Sequence, residues 1–460
     1  MLTAQEGLTL RLAEFACDTH TLPVDVRAAA RVALQDTLGV ALAGSTEPAV
    51  LAALDYARES SGGRGARIWG HDVSCAPADA ALVNAIATHA LDFDDTLATL
   101  RGHPSAPVLA AALATAAHSR ISGSDLLTAY ALGIEVSGKL GQLLGNGHYL
   151  RGWHNTATLG VFSATATVAR LCGAPSAVLQ SAWGIAAAQS GGLLRNFGTM
   201  AKPFQAGQAA RSAILAVALA TRGFTADDRI FDGPGGFPAT YGADGVDHSA
   251  ISAMLGNQWD LTKPGINYKR WPCCYCSHRA LGGLLDLMAK HGVLPGEIEQ
   301  VSIGFPPGSD EPLVYDDPQT GLQGKFSIQY PVAAMLLDGN LTPDSFTDAA
   351  LARPAVRALM KKVKRYRVED SKIYSGTVGY TDVEIKARGQ RYSERIDKGP
   401  GSSAWPMSEA EHDEKFMGCA GRVLGTDAAA VLLASIQNVE LLEDAIELTA
   451  LMAVSRNGNS

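Results

Sequence analysis

The chain has 460 residues, 47% of them apolar and 18% charged, and a formal net charge of −8. That length buries a large core as one domain or two, and the composition lies well away from disorder. An acidic balance, with no run of Lys and Arg that could track a phosphate backbone, gives no footprint for nucleic acid.

The opening residues Met1 to Glu6 lack the pattern of a secretory leader. Apolar runs such as 213–220 fall short of the ~20 residues that span a bilayer. Seven cysteines without a framework spacing point to a reduced, cytoplasmic protein. From residue 8 to about 260, helix follows helix. Asp25 precedes an alanine-rich stretch that closes at Gly44, an N-cap to C-cap reading. Pro77-Ala78-Asp79 opens the next helix, with Leu82, Ile86 and His89 on one stripe. Helical periodicity recurs at 106–119, 124–144, 156–171, 175–188 and 206–221. Strand signals are nearly absent there. The character changes near Pro264. Residues 298–305 alternate with period two, as do 363–368 and 381–387, the last turning through Arg388-Gly389 into 391–396 as a hairpin. Helical stretches at 278–291 and 353–362 lie between them. After the turn-rich segment 398–403, helical patterns return at 407–420 and 426–452. The predicted fold class is mostly α. A large all-helical domain is built from both chain ends, residues 1–263 and 402–460, and a smaller α+β domain, 264–401, is inserted in it.

Four stretches carry side chains that could do chemistry. His89-Ala90-Leu91-Asp92-Phe93-Asp94-Asp95-Thr96 is followed by Arg101-Gly102-His103. Three carboxylates within four residues are costly unless a cation approaches; the bland alternative is a solvated acidic loop, and the spacing is not that of a calcium loop. Gly145 to Thr156 reads as a glycine-rich loop carrying His148 and His154 into a helix start capped by Asn155 or Thr156, a place that favours an anion. Ser190 to Gly207 interrupts the helical pattern and sets Lys202 just before the next helix, as a point charge for a carboxylate. It lacks the residues of a phosphate loop. Tyr268 to His278 holds three cysteines and a histidine, but Cys17, Cys75, Cys172 and Cys419 offer no second pair for structural zinc. A nucleophile with its pKa lowered by Lys269 or His278 stands beside packing or substrate contact as alternatives.

Together the stretches HALDFDDT (89–96), GHPS (102–105), GWHNTATLGVF (152–162), NFGTMAKPFQAG (196–207), YKRWPCCYCSH (268–278) and KFSIQYPVAAMLLDG (325–339) resemble the MmgE/PrpD family. That family includes 2-methylcitrate dehydratase, cis-aconitate decarboxylase and iminodisuccinate epimerase, and the resemblance covers almost the whole chain. It implies a helical domain with an α+β lid, a homodimer, and an active site between the two that needs no metal or organic cofactor. Carried over by position, the implied site holds Asp92, Thr96, His103, His154, Lys202 and Lys269, with Tyr330 or Tyr315 as its tyrosine. Cys274 stands where the decarboxylase branch has a histidine, which counts against decarboxylation. The wording at 100–105 and 147–154 resembles the epimerase branch.

A proton beside a carboxylate is weakly acidic because its enolate is poorly stabilised, and preorganised cations are the remedy. Lys202, Lys269 and Arg101 would supply charge. His103 and His154 would move the proton, and Asp92 would orient a histidine or act as partner base, supported by Thr96. The expected substrate is a small di- or tricarboxylate. The expected reaction is dehydratase-like, with dicarboxylate epimerisation as the alternative and decarboxylation or a non-catalytic binding role behind it.

Overall fold

Alanine sets much of the architecture, because helices lined with it approach closely. The computed structural model of the chain describes residues 7–60, 65–242, 247–375 and 378–454. The helix Ser105–Ala116 is buried on almost every side. Around it pack Pro77–Ala90, Gly123–Leu150, Gly160–Leu171 and Ala201–Ala220. Gly207 shows how tight this layer is: a Cβ there would lie 2.6 Å from the carbonyl oxygen of Leu82. Ala201–Ala220 thus lies against the backbone of Pro77–Ala90, so its first turn sits beside the loop that follows Ala90.

A four-stranded sheet has the spatial order Val363–Arg367, Ile298–Phe305, Thr381–Ala387, Gln390–Ile396. The first pair is parallel with Val301 opposite Val363, and the others are antiparallel. The expected hairpin forms, its turn made by Arg388 and Gly389 with φ of 54° and 73°, the left-handed pair that matches strand twist. The helix Tyr275–His291 covers the hairpin, with Gly283 against Ile396 and Val383. The edge strand does carry a cationic run, Lys361-Lys362-Val363-Lys364-Arg365-Tyr366-Arg367, that composition alone left unnoticed. Its central Arg365 is tied to Asp310 and Asp316, and lysines on an edge strand discourage pairing with another chain.

Buried apolar residues fall into two large clusters. One runs from Leu8 to Ile266 and takes in Phe416 to Met452; the other joins Phe197 to residues 271–396. A third, of Val40, Ala43, Leu91, Phe93 and Cys419, lies where the loop after Ala90 meets the helix Glu409–Leu424. Several boundaries differ from expectation. Asp25 lies in the first turn of Val24–Gly44, not at its cap. The pattern at 426–452 divides into Thr426–Gln437 and Ile446–Leu451. Short strands occur before Pro264 as well, and one pairs Thr96-Leu97 with Asn267-Ile266. Among the described residues no single helix is long and apolar enough to cross a membrane. The leader reading at Met1 to Glu6 lies outside the described residues.

Candidate active site

The acidic triplet is buried, so the solvated-loop alternative fails. After Ala90 the chain turns through Asp92 at φ 52° and again through Arg101 at φ 58°, left-handed conformations that cost of order 1–3 kcal/mol each for non-glycine residues. Arg101 is held there by its own side chain. Its Nε donates to Asn146 and Ser375 at 2.8 and 2.9 Å, and its Nη1 to the carbonyls of Thr99 and Gly141 at 3.0 Å. All four partners are neutral oxygens, so its charge is uncancelled, and among the described residues no acceptor engages Nη2. Burial pushes its pKa down to about 10, which leaves it cationic at neutral pH.

Two lysines converge on Asp92 from far along the chain. Lys202 donates to Oδ1. Lys269 reaches Oδ2 at 2.9 Å and the Asp92 carbonyl oxygen at 2.7 Å. Burial alone would raise the pKa of Asp92, but Lys202 and Lys269, then His103, outweigh it and hold the carboxyl well below its ordinary range. Burial would likewise lower Lys269, and Asp92 and Asp94 more than offset it, so its ammonium is favoured. Lys202 is not in the loop before the helix, as its sequence suggested. It sits in the first turn of Ala201–Ala220, its Nζ 5.1 Å from the ring centres of both Phe197 and Phe326, a cation–π setting.

Three histidines pack together. His89 lies 4.4 Å from His103, edge-on, and 5.6 Å from His154, stacked, between ring centres. Asp94 serves two of them: its Oδ2 lies 2.8 Å from Nδ1 of His89 and 3.2 Å from Nδ1 of His103. Nε2 of His103 lies 3.8 Å from Asp92. Burial lowers the pKa of His103 to about 3 despite Asp94, and lowers that of His154 well below 6.5. Both are neutral bases at pH 7. His154 occupies the N-cap position of the short helix Asn155–Thr158 and caps nothing with its side chain. Its Nδ1 is 2.7 Å from Oε1 of Gln205. The Gln205 amide nitrogen donates to the Leu193 carbonyl at 3.3 Å, which fixes the oxygen toward the ring. The imidazole therefore carries its proton on Nδ1, and its buried Nε2 has no partner among the described residues.

These groups surround a small cavity of about 30 Å³, room for roughly two waters. Asp92, Thr96, Arg101, His103, His154, Lys202 and Cys274 line it, joined by Tyr149, Tyr275, Cys276 and Phe326. Lys269 stands behind Asp92 instead of on the wall. Tyr330 does not belong to the site. Its ring packs on Phe346 and its hydroxyl donates to the Ser345 carbonyl, because the helix Gln329–Asp338 turns that face away. Tyr315 donates to the Phe197 carbonyl at 3.1 Å, outside the wall as well, and Tyr149 is the tyrosine from the helical half that reaches the cavity.

Ligand-capable atoms of His89, Asp92, Asp94 and His103 lie within 4.8 Å of one another. A divalent cation there would compete with two ammonium groups for Asp92 and with two imidazoles for Asp94, so the donor set is already matched by the protein's own cations and N–H groups.

Sequence reasoning missed His89, Asp94 and Gln205 as parts of this network, and Lys325, which is buried and donates to the Ala90 carbonyl at 3.2 Å. Gln205 had a readable signal, since it is three residues after Lys202 on one helix face. Lys325 had none.

Two family models match the chain: the MmgE/PrpD N-terminal domain over residues 10–247 and the MmgE/PrpD C-terminal domain over residues 271–441. The chain is similar to cis-aconitate decarboxylase of Homo sapiens, 30% identical over 91% of this chain and 88% of the relative. It is 29% identical to the Mus musculus cis-aconitate decarboxylase over 95% of this chain and 92% of the relative. A cis-aconitate decarboxylase of Aspergillus terreus is 25% identical over 91% of this chain and 90% of the relative. With both domain models matched in order along a chain whose buried histidines, lysines and carboxylates converge on one cavity, this protein belongs to the MmgE/PrpD family.

Proposed function

We propose that the chain is a dehydratase-type lyase of a small polycarboxylic acid, 2-methylcitrate-like, that removes the proton beside a carboxylate and expels a hydroxyl from the neighbouring carbon. The observation that carries this reading is His154: a neutral imidazole on the cavity wall, its Nδ1 committed to Gln205 and its Nε2 lone pair unengaged. Such a group takes a proton as the reaction begins. Decarboxylation instead starts by losing carbon dioxide and then needs a proton donor on carbon, a poorer match to two histidines that rest as bases. Arg101 is the anchor for a substrate carboxylate, since its charge is not cancelled. Lys202 stabilises the enolate as charge builds and hands a proton to the leaving hydroxyl, and Tyr149 stays protonated because burial raises its pKa. The reaction as drawn needs only these side chains, so dialysis against EDTA leaves activity unchanged; loss on chelation would return the four-ligand cluster to the mechanism.

The α+β part acts in this reading as a lid over the helical part, and the protein works as a homodimer, measurable by light scattering. Phe197, Cys274, Cys276 and Phe326 of the second core cluster border the cavity together with Asp92, His103, His154 and Lys202 from the earlier helices and loops. A cavity that holds two waters must open to admit a polycarboxylate. The deciding experiment is incubation with 2-methylcitrate, cis-aconitate and iminodisuccinate in deuterated water, followed by NMR. An alkene signal from 2-methylcitrate is expected. Carbon dioxide release from cis-aconitate would favour the activity named for the mammalian relatives, and deuterium entering an α-carbon without loss of water would identify an epimerase.

A further inference from the structure

Two of the three clustered cysteines share the cavity wall. Cys274 holds the N-cap position of the helix Tyr275–His291, and Cys276 lies in its first turn. Both border the cavity, and their thiols are hydrogen-bonded to each other. Cys273 does not border the cavity, although all three cysteines are buried in the apolar cluster of residues 271–396. The setting separates the two thiols by role. The thiol donor at Cys276 lowers the pKa of Cys274 against burial and the charge of Asp92, with Lys269 assisting; Cys276 is correspondingly held as the thiol. A cysteine at a helix N-cap, hydrogen-bonded to a second thiol on the wall of a water-sized pocket, is an arrangement suited to reversible oxidation.

We propose that Cys274 and Cys276 form such a site: Cys274 is oxidised by a small hydroperoxide and Cys276 then closes the pair to a disulfide. In the first step the Cys274 sulfur attacks a peroxide oxygen. An S–O bond forms, the O–O bond breaks, and the departing hydroxide takes a proton to become water. The sulfur loses two electrons and the peroxide gains them. In the second step the Cys276 sulfur attacks the sulfenic sulfur. The S–S bond forms, the S–O bond breaks, and the Cys276 proton leaves with the hydroxyl as a second water. The closed pair replaces a cavity thiol by a rigid ring and blocks turnover until a dithiol reduces it.

The test needs no knowledge of the substrate, so it is independent of the reading above. Reduced full-length protein is treated briefly with stoichiometric hydrogen peroxide, alkylated, and digested with trypsin. Cleavage after Arg270 and Arg279 releases residues 271–279, which contain Cys273, Cys274 and Cys276 and no other cysteine. That peptide should lose 2 Da with Cys273 still alkylated, regain the mass on reduction with dithiothreitol, and react roughly tenfold faster than the exposed thiol of Cys172. In Cys276→Ser, dimedone should trap a sulfenic acid on Cys274. A Cys274 that reacts no faster than Cys172, a bridge to Cys273, or direct passage to sulfinic acid in the unaltered chain would each overturn the proposal.

Discussion

With Nδ1 held by Gln205 at 2.7 Å, the His154 imidazole keeps one tautomer, and its reactive nitrogen is chosen by a side chain that does not line the cavity. Gln205→Leu should remove that choice. We expect kcat to fall about 10²-fold while Gln205→Glu, which still accepts from Nδ1, retains more of it; nitrogen-15 spectra of His154 report the tautomer directly. The pH profile follows from the same burial. A base works while neutral, and burial has moved the pKa of His154 well below 6.5. The kcat/KM curve should therefore show no acid limb from this group between pH 8 and 6.5. A limb centred near 6.5 would mean that the working imidazole is solvated. Arg101→Gln should raise KM more than it lowers kcat, because it removes an anchor and leaves the proton path intact. Most of these residues were legible in the sequence, since acids, lysines and histidines stand out in a chain only 18% charged. Tyr330 was misplaced and Tyr149 overlooked because tyrosine is as common in cores as in sites, and only the helix rotation separates the two.

Periodicity located the elements well, and failed where a single residue changes the backbone. Gly145 is the plainest case. It sits within Gly123–Leu150 at φ 61° and ψ −152°, a region open in practice to glycine alone. A Cβ there would meet no atom within 4 Å, so Gly145→Ala tests conformation without a clash. A loss of about 1–3 kcal/mol in urea unfolding is expected, and no loss would mean that the kink relaxes. Gly123 tests the opposite effect. Its Cβ would fall 1.7 Å from the Val439 carbonyl oxygen, so Gly123→Ala should push residues 439–452 off the helical core. Faster proteolysis in that segment is the expected sign. Neither effect is visible as hydrophobic pattern, because one concerns φ and the other a contact more than 300 residues away in sequence.

Over the whole molecule, the mostly helical class and its small sheet follow from alanine-rich periodicity and late alternation. The burial of so many ionisable groups does not, and it governs the response to pH. Asp95 accepts from Ser105 at 2.5 Å, and burial raises its pKa from 3.8 to about 8. Between those values the carboxyl is ionised only in the unfolded chain. Stability is therefore lost as pH rises from 3.8 to about 8, by up to about 1.4 kcal/mol per unit, and no further above it. Asp95→Asn should melt higher than the parent, with a gap that widens from pH 5 to pH 8 and then stays constant. A gap independent of pH would show Asp95 already ionised.

The two-residue ladder between Thr96-Leu97 and Asn267-Ile266 has a mechanical consequence. It fastens the segment bearing Lys269 to the loop bearing Asp92, so in the proposed lid motion those partners would travel as one piece while Cys274, Tyr275 and Phe326 moved apart from them. An incoming acid would meet the ammonium–carboxylate cluster already assembled. On the proposed reading, closure would add a dry roof and two sulfurs to a charge cluster set in place before the door moves.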